Sequence, residues 1–178
     1  ICTSRSFGNL VTDYDALQAS VASFAASCAN KLRGQHSLTS AVTVFVSSNR
    51  FREDLTQYSN GQTRILPMPT SDTIEITQAA LSVLKEIYRE GISYKKTGVI
   101  LGDITDASYI QQNLFDEVKN RPERMQLMKS IDALNHRFGL RKIHLAVEGE
   151  EKQAWHAKSE FRSGNYLSDL KEILTIQI

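Results

Sequence analysis

Alternating apolar and polar positions mark the strands of this chain, and apolar positions every three or four residues mark its helices. Ser40 to Ser48 alternates most regularly: Val42, Val44 and Val46 share one side, and Ala41, Thr43, Phe45 and Ser47 share the other. Ile1 to Phe7 reads as a first strand, ended by Gly8-Asn9. Gln62 to Met68 returns as a third, with Pro67 and Pro69 marking a sheet edge, and Tyr94 to Ile104 is a fourth. Between the first two, Thr12 or Asp13 caps a helix with the stripe Leu17, Val21, Phe24, Cys28 and Leu32. Lys31 and Arg33 lie in its last turn, and Gly34 is its stop. Asp72 with Glu75 forms a capping box for a second helix, with Ile76, Ala80, Leu84, Ile87 and Tyr88 inward and its end at Gly91. The predicted class is α+β, in the order βαββαβ. Two helices of this size cover one face of a four-stranded sheet and leave the other open to solvent or a partner.

Beyond Ile110 the pattern changes. Pro122 opens a helix with the stripe Leu127, Ile131, Leu134 and Phe138, and Met128 beside it, closed by Gly139. Lys142 to Glu148 alternates through Ile143, Leu145 and Val147 and reads as a strand; a short helix is predicted near Leu167 to Ile173. Three regions follow: a domain over 1–107, a linker over 108–120 and a small α/β extension over 121–178.

Composition narrows the function. A chain of 178 residues is long enough to bury a core. Its net charge is +1, with ten Lys/Arg against ten Asp/Glu up to Ile110 and eleven against ten beyond. No global positive field draws nucleic acid in, so any DNA binding must use a local basic face. There is no signal peptide and no apolar run of membrane-spanning length, which fits a cytoplasmic protein. The opening Ile1-Cys2-Thr3 reads as an excised piece of a longer protein. Cys2 and Cys28 form neither a metal spacing nor a disulfide framework, and Cys28 reads as a buried reduced thiol. No glycine-rich phosphate loop appears, and His36, His136, His144 and His156 are scattered. A Cys28–His36 nucleophilic pair is opposed by the core-facing position of Cys28, where a thiol is inert. The residues describe a binding module, not an enzyme.

One short peptide has two readings. In Gln111-Gln112-Asn113-Leu114-Phe115, a side-chain amide and a Leu-Phe pair form a compact anchor for a partner's pocket; equally, Leu114 and Phe115 can staple the next helix to the core.

Ordered stretches along nearly the whole chain resemble the carboxy-terminal part of UmuC-type Y-family DNA polymerases, the error-prone translesion enzymes of the SOS response. They are Ser4-Arg5-Ser6-Phe7-Gly8, Lys31-Leu32-Arg33-Gly34-Gln35, Val44-Phe45 followed by Ser48-Asn49 and Phe51-Arg52, Tyr58-Ser59-Asn60, and Tyr94-Lys95-Lys96-Thr97-Gly98-Val99-Ile100-Leu101. Asn113-Leu114-Phe115, Leu127-Met128, Asp132-Ala133-Leu134-Asn135 with Phe138-Gly139, and Trp155 continue the series. The tail departs from it: Ser163-Gly164-Asn165-Tyr166-Leu167-Ser168 stands where a Ser-Pro-Arg-Tyr-Thr-Thr-like run is usual.

The resemblance implies that residues 1 to 107 are a little finger whose open sheet face lies against duplex DNA. It also implies that Gln111, Leu114 and Phe115 dock in the pocket of a sliding clamp. The catalytic palm with its carboxylates and Mg would lie outside this chain, so no cofactor is expected within it; a cleaved UmuD-like dimer and RecA are the implied accessory partners. Arg5, Lys31, Arg33, Arg50, Arg52, Arg64, Lys95 and Lys96, with Ser4 and Ser6, are the candidate phosphate contacts. Such contacts position a duplex without reading its sequence. The competing reading is a ferredoxin-like protein-interaction module with no DNA role.

Overall fold

A computed structural model describes residues 1–108, 120–139, 141–149, 155 and 163–166. The elements run β1 (Cys2–Val11), α1 (Tyr14–Gly34), β2 (Ser37–Ser48), β3 (Ser59–Thr70), α2 (Thr73–Ile87), β4 (Tyr94–Asp106) and α3 (Arg121–Phe138), then a 3-10 turn at Ala146–Glu148. The peptide Gln111 to Phe115 and the helix predicted near Leu167 to Ile173 lie outside the described residues. The four strands form one antiparallel sheet in the order β1-β4-β2-β3. β1-α1-β2 therefore straddles β4, and β3-α2-β4 straddles β2, so both helices lie on the same face. The βαββαβ, α+β architecture read from the pattern is the observed one.

The alternation of β2 explains the layering. Val42, Val44 and Val46 are buried against the helices, as are Val99 and Leu101 of β4. Leu17, Val21, Phe24, Cys28 and Leu32 of α1 and Ile76, Val83, Leu84 and Ile87 of α2 close over them. Each such side chain contributes about 1.5–3 kcal/mol when fully buried. Small residues, among them Ala22, Ala25, Ala29 and Ala80, let the helices sit close to each other and to the sheet.

Several local expectations shift. β1 does not end at Gly8-Asn9. It bulges past Lys95, whose ammonium donates to the Phe7 carbonyl, and pairs again at Val11 with Tyr94. Gly34 is the last helical residue of α1, and the left-handed turn falls on His36 at φ 53. β3 is an edge strand, which accommodates Pro67 and Pro69 where its register shifts. The capping box at α2 is one-sided. Asp72 Oδ1 accepts from the amides of Ile74 at 2.7 Å and Glu75 at 3.3 Å. The Glu75 carboxylate turns instead to Arg121 of α3 at 3.1 Å.

α3 departs from the usual packing of an amphipathic helix, whose apolar stripe faces a core. Instead Leu127, Leu134 and Phe138 are exposed, Ile131 is half-buried, and Met128 alone is buried, at 2 %. The helix docks through its charged side. Arg33 forks onto Asp132, Nε to Oδ2 at 2.6 Å and Nη2 to Oδ1 at 2.8 Å, and Asn30 adds a bond at 2.9 Å. Arg124 reaches Asp72 Oδ2 at 2.8 Å. The alternating run Lys142 to Glu148 is not a strand. Arg141 adopts φ 64, Asn135 brackets the backbone of Ile143 with two 2.8 Å bonds, and Ala146–Glu148 is a 3-10 turn. Asn135 thus takes the hydrogen bonds that a partner strand would have supplied. Trp155 is buried edge-on against Phe24 of α1, ring centroids 5.4 Å apart, which seats the extension on the first domain.

Burial alone would raise the Asp132 carboxyl, but hydrogen bonds from Arg33 and Asn30 outweigh it and hold it below the usual range. A depressed carboxylate stabilises the fold above its ordinary pKa, and that contribution disappears as pH falls through the depressed value. Arg33→Met leaves Asp132 with only the Asn30 bond and should destabilise the chain by about 1–3 kcal/mol at neutral pH. The gap between variant and parent should narrow on acidification below about pH 4. Urea unfolding of both proteins at several pH values checks this; a gap independent of pH would show that Asp132 is not the partner that matters.

Candidate nucleic-acid interface

The uncovered face of the sheet is built in cross-strand rows. Side chains on directly paired residues share a face. The register places Ser6 opposite Lys96, Lys96 opposite Ser47, and Ser47 opposite Ser59. One row of hydroxyls with a single ammonium therefore crosses all four strands, over about 14 Å at the usual strand spacing. The next row is Ser4, Gly98, Phe45 and Gly61. Here the Phe45 ring lies over Gly98, where an added Cβ would collide with Phe45 Cζ and Cε1 and with Ser4 Cβ. The Lys96 ammonium sits 5.7 Å from the centroid of that ring, which fixes it on this face. Farther along, Thr43 and Thr63 share a 2.7 Å hydroxyl contact, and Ile65, Ile100 and Ile104 stand exposed. The face is thus polar and basic at one end and apolar at the other.

The residues singled out from the sequence divide accordingly. Ser4, Ser6 and Lys96 lie on the open face. Arg5 does not. Its neighbours Thr3 and Phe7 point to the helix layer, Thr3 Oγ1 accepting from Cys28 Sγ at 3.1 Å and from Lys31 Nζ at 3.2 Å and Phe7 lying in the core, so Arg5 projects to that side from an edge strand. Lys31 lies in the same layer. Arg33 is half-buried, and its donors are occupied by Asp132, the Ser71 carbonyl at 2.7 Å and Thr73 Oγ1 at 2.9 Å. Arg64 shares its face with Val42 and pairs with Glu86 of α2. Lys95 is held in the β1 bulge. Arg50 and Arg52 belong to the β2–β3 loop. Arg52 is forked onto Asp54 at 2.6 and 2.7 Å and holds that carboxyl below its usual range, while Arg50 is exposed and without a polar partner among the described residues. Gln111, Leu114 and Phe115 lie outside the described residues.

Ser47, Ser59 and Gly98 were not picked out from the sequence. Only the register between strands joins them to Ser6, Lys96 and Phe45; alternation within one strand does not carry it.

The conceivable thiol–imidazole pair is not assembled. Burial pushes the Cys28 thiol up, and its bonds go to Thr3 and the Val99 carbonyl; His36 is exposed after the end of α1. Among the described residues no group of three His, Cys, Asp or Glu side chains is placed to hold a metal, and no helix is long and apolar enough to cross a membrane.

Sequence comparison matches residues 1–114 to the impB/mucB/samB family C-terminal domain. The chain belongs to the impB/mucB/samB family. Residues 125–176 match a second family model, the domain of unknown function DUF4113. Protein ImpB of Salmonella typhimurium is 38% identical over 173 residues, 97% of this chain and 40% of that protein. Protein UmuC of Salmonella typhimurium strain LT2 is 36% identical over 177 residues, 99% of this chain and 42% of that protein. Protein MucB of Escherichia coli is 33% identical over 173 residues, 97% of this chain and 40% of that protein. The UmuC-type resemblance read from the motifs is therefore a family relationship. The chain spans about two fifths of the length of these curated relatives. A solved complex of a beta-clamp processivity factor and the little finger domain of PolIV aligns at TM-score 0.42 and 10% identity, over 68% of this chain and 97% of that one.

The ring over Gly98 makes a direct check of the face. Gly98→Val should destabilise the protein by about 1–3 kcal/mol through overpacking against Phe45 and Ser4. Part of that loss should return with Phe45→Ala, which vacates the ring's space. Thermal melts of both variants read it, and an unchanged midpoint for Gly98→Val would mean that the ring does not lie where described.

Proposed function

We propose that this chain is the non-catalytic DNA-gripping and clamp-tethering region of an error-prone translesion DNA polymerase of the SOS response. The observation that carries the reading is the Ser6–Lys96–Ser47–Ser59 row on the open sheet face of an impB/mucB/samB family chain. Hydroxyl donors and an ammonium in line suit successive phosphate oxygens, and a contact of that kind holds a duplex whatever its bases. Arg50, at the same end of the sheet, extends the basic track; Arg33 and Arg64 are withdrawn from it by their carboxylate partners. Residues 1–107 act as the grip. Residues 108–120 act as the tether, with Gln111, Leu114 and Phe115 seated in a sliding clamp. Residues 121–178 form the extension that rides on the grip.

Nucleotidyl transfer and its Mg belong, in this reading, to a palm outside the chain. A UmuD-like dimer and RecA are the proposed accessory partners, and the setting is the cytoplasm. The second reading, a protein-interaction module without a DNA role, is favoured by Ile65, Ile100 and Ile104 at the apolar end of the face.

Two measurements separate these readings. Duplex binding by fluorescence anisotropy should weaken steeply with salt, and Lys96→Ala should lower the log–log slope by about 0.9, the loss of one phosphate contact. Salt-independent binding, or none, favours the interaction module. Binding to the cognate sliding clamp should disappear in a Leu114→Ala/Phe115→Ala double variant; an unaffected Kd would return those side chains to a structural role.

A further inference from the structure

Phe51 stands at the tip of the β2–β3 loop with 93 % of its surface exposed, more than any other large apolar residue among those described. A single exposed phenylalanine is ordinary on a loose loop. This loop is built. Asn49 Oδ1 accepts the Phe51 amide at 3.1 Å, the Asn49 carbonyl accepts the Arg52 amide at 3.2 Å, and the Arg52 carbonyl accepts the Leu55 amide at 3.2 Å. From inside the loop, the Gln57 side-chain amide donates to the carbonyls of Asn49, Arg52 and Leu55 at 3.1, 2.8 and 3.1 Å. Its oxygen accepts from Ser48 Oγ at 3.2 Å, and Ser48 Oγ in turn accepts the Tyr58 amide at 2.9 Å. The turn is thus fastened to the end of the sheet, and among the described residues nothing covers the ring it presents.

Its surroundings favour nucleic acid. Arg50 and Arg52 flank Phe51 in the sequence of the turn. Arg52 is oriented by Asp54, and Arg50 lines a groove of about 190 Å³ together with Ser47, Ser48, Gln57, Tyr58 and Ser59. Ser47 and Ser59 are also the last two members of the hydroxyl row. The groove therefore joins the Ser47 and Ser59 end of the row to Arg50, the residue that precedes Phe51 in the turn. An exposed ring held rigidly beside a cationic track is the arrangement by which proteins stack single-stranded bases without sequence preference. Bases inside a duplex have no free face to offer; a base beyond its end does.

We infer that Phe51, with Arg50 beside it, stacks an unpaired base where single-stranded template adjoins the gripped duplex. The inference rests on the DNA-gripping reading above and adds a second, distinct contact to it.

The test compares anisotropy of the 178-residue chain on a blunt duplex and on the same duplex carrying a single-stranded 5′ overhang. The parent should prefer the overhang. Phe51→Ala should weaken overhang binding by on the order of tenfold, the usual loss for one stacked base, and leave the blunt duplex unchanged. Phe51→Trp should retain the preference, and its added fluorescence should be quenched by the overhang but not by the blunt duplex. If duplex binding is intact and Phe51→Ala binds both DNAs as the parent does, the stacking contact is wrong and the grip stands. If neither DNA binds the parent, the gripping reading fails and takes this one with it. Loss of clamp binding in Phe51→Ala with both DNA affinities unchanged would make the tip a protein contact and overturn the inference.

Discussion

The central antiparallel pair, β2 against β4, decides which way every other side chain in the sheet faces. Its valines and Leu101 require cover, and α1 and α2 supply it on one side. Once that side is fixed, the two-residue period leaves Phe45, Ser47, Lys96 and Gly98 on the other. A slip of one residue between these strands would exchange the faces, burying a lysine and exposing a valine. The same constraint therefore holds the core together and keeps the Ser6–Lys96–Ser47–Ser59 row in line.

Much of this was legible in the chain. The period of two in Ser40 to Ser48 and the three-and-four spacing of Leu17 to Leu32 are local signals, and they located elements and core together. The helix starts at Asp72 and at Thr12 or Asp13, of which the structure takes Asp13, were legible for the same reason, since a cap acts within three residues. The row was not, because Ser6, Lys96, Ser47 and Ser59 meet only through pairing between distant strands. Arg5 and Arg33 illustrate the limit. Composition marks both as cations; only the fold turns one to the helix layer and supplies Asp132, 99 residues away, for the other. The alternation of Lys142 to Glu148 misled because a strand also needs a neighbour, and Asn135 took that place.

The third helix reverses the usual rule for amphipathic segments. Periodicity identified its apolar stripe, but it does not say which side of a helix meets the core. Here three arginine–carboxylate pairs and Met128 form the inner side, and Phe138, 59 % exposed, stands on the outer. Such a contact depends on geometry more than on area, because each charge taken from water must find its partner. Arg33 and Asp132 satisfy that with a fork, whereas burial pushes Glu75 up despite the nearby Arg121 and Arg124. These two pairs are therefore unequal: the Arg33 fork holds Asp132 below its usual range, and Arg121 does not offset the burial of Glu75.

Asp72 does two things with two oxygens: one caps α2 and the other receives Arg124. The first task belongs to the sheet domain alone, and the second has meaning only after α2 has begun. The two contacts are consequently linked through one side chain. The Arg124 end of the α3 seat exists only where the first turn of α2 is wound and its N-cap carboxylate is aimed outward, so this contact ties the extension to the geometry of the α2 start. A sheet domain without that cap would lack one of the anchors of α3.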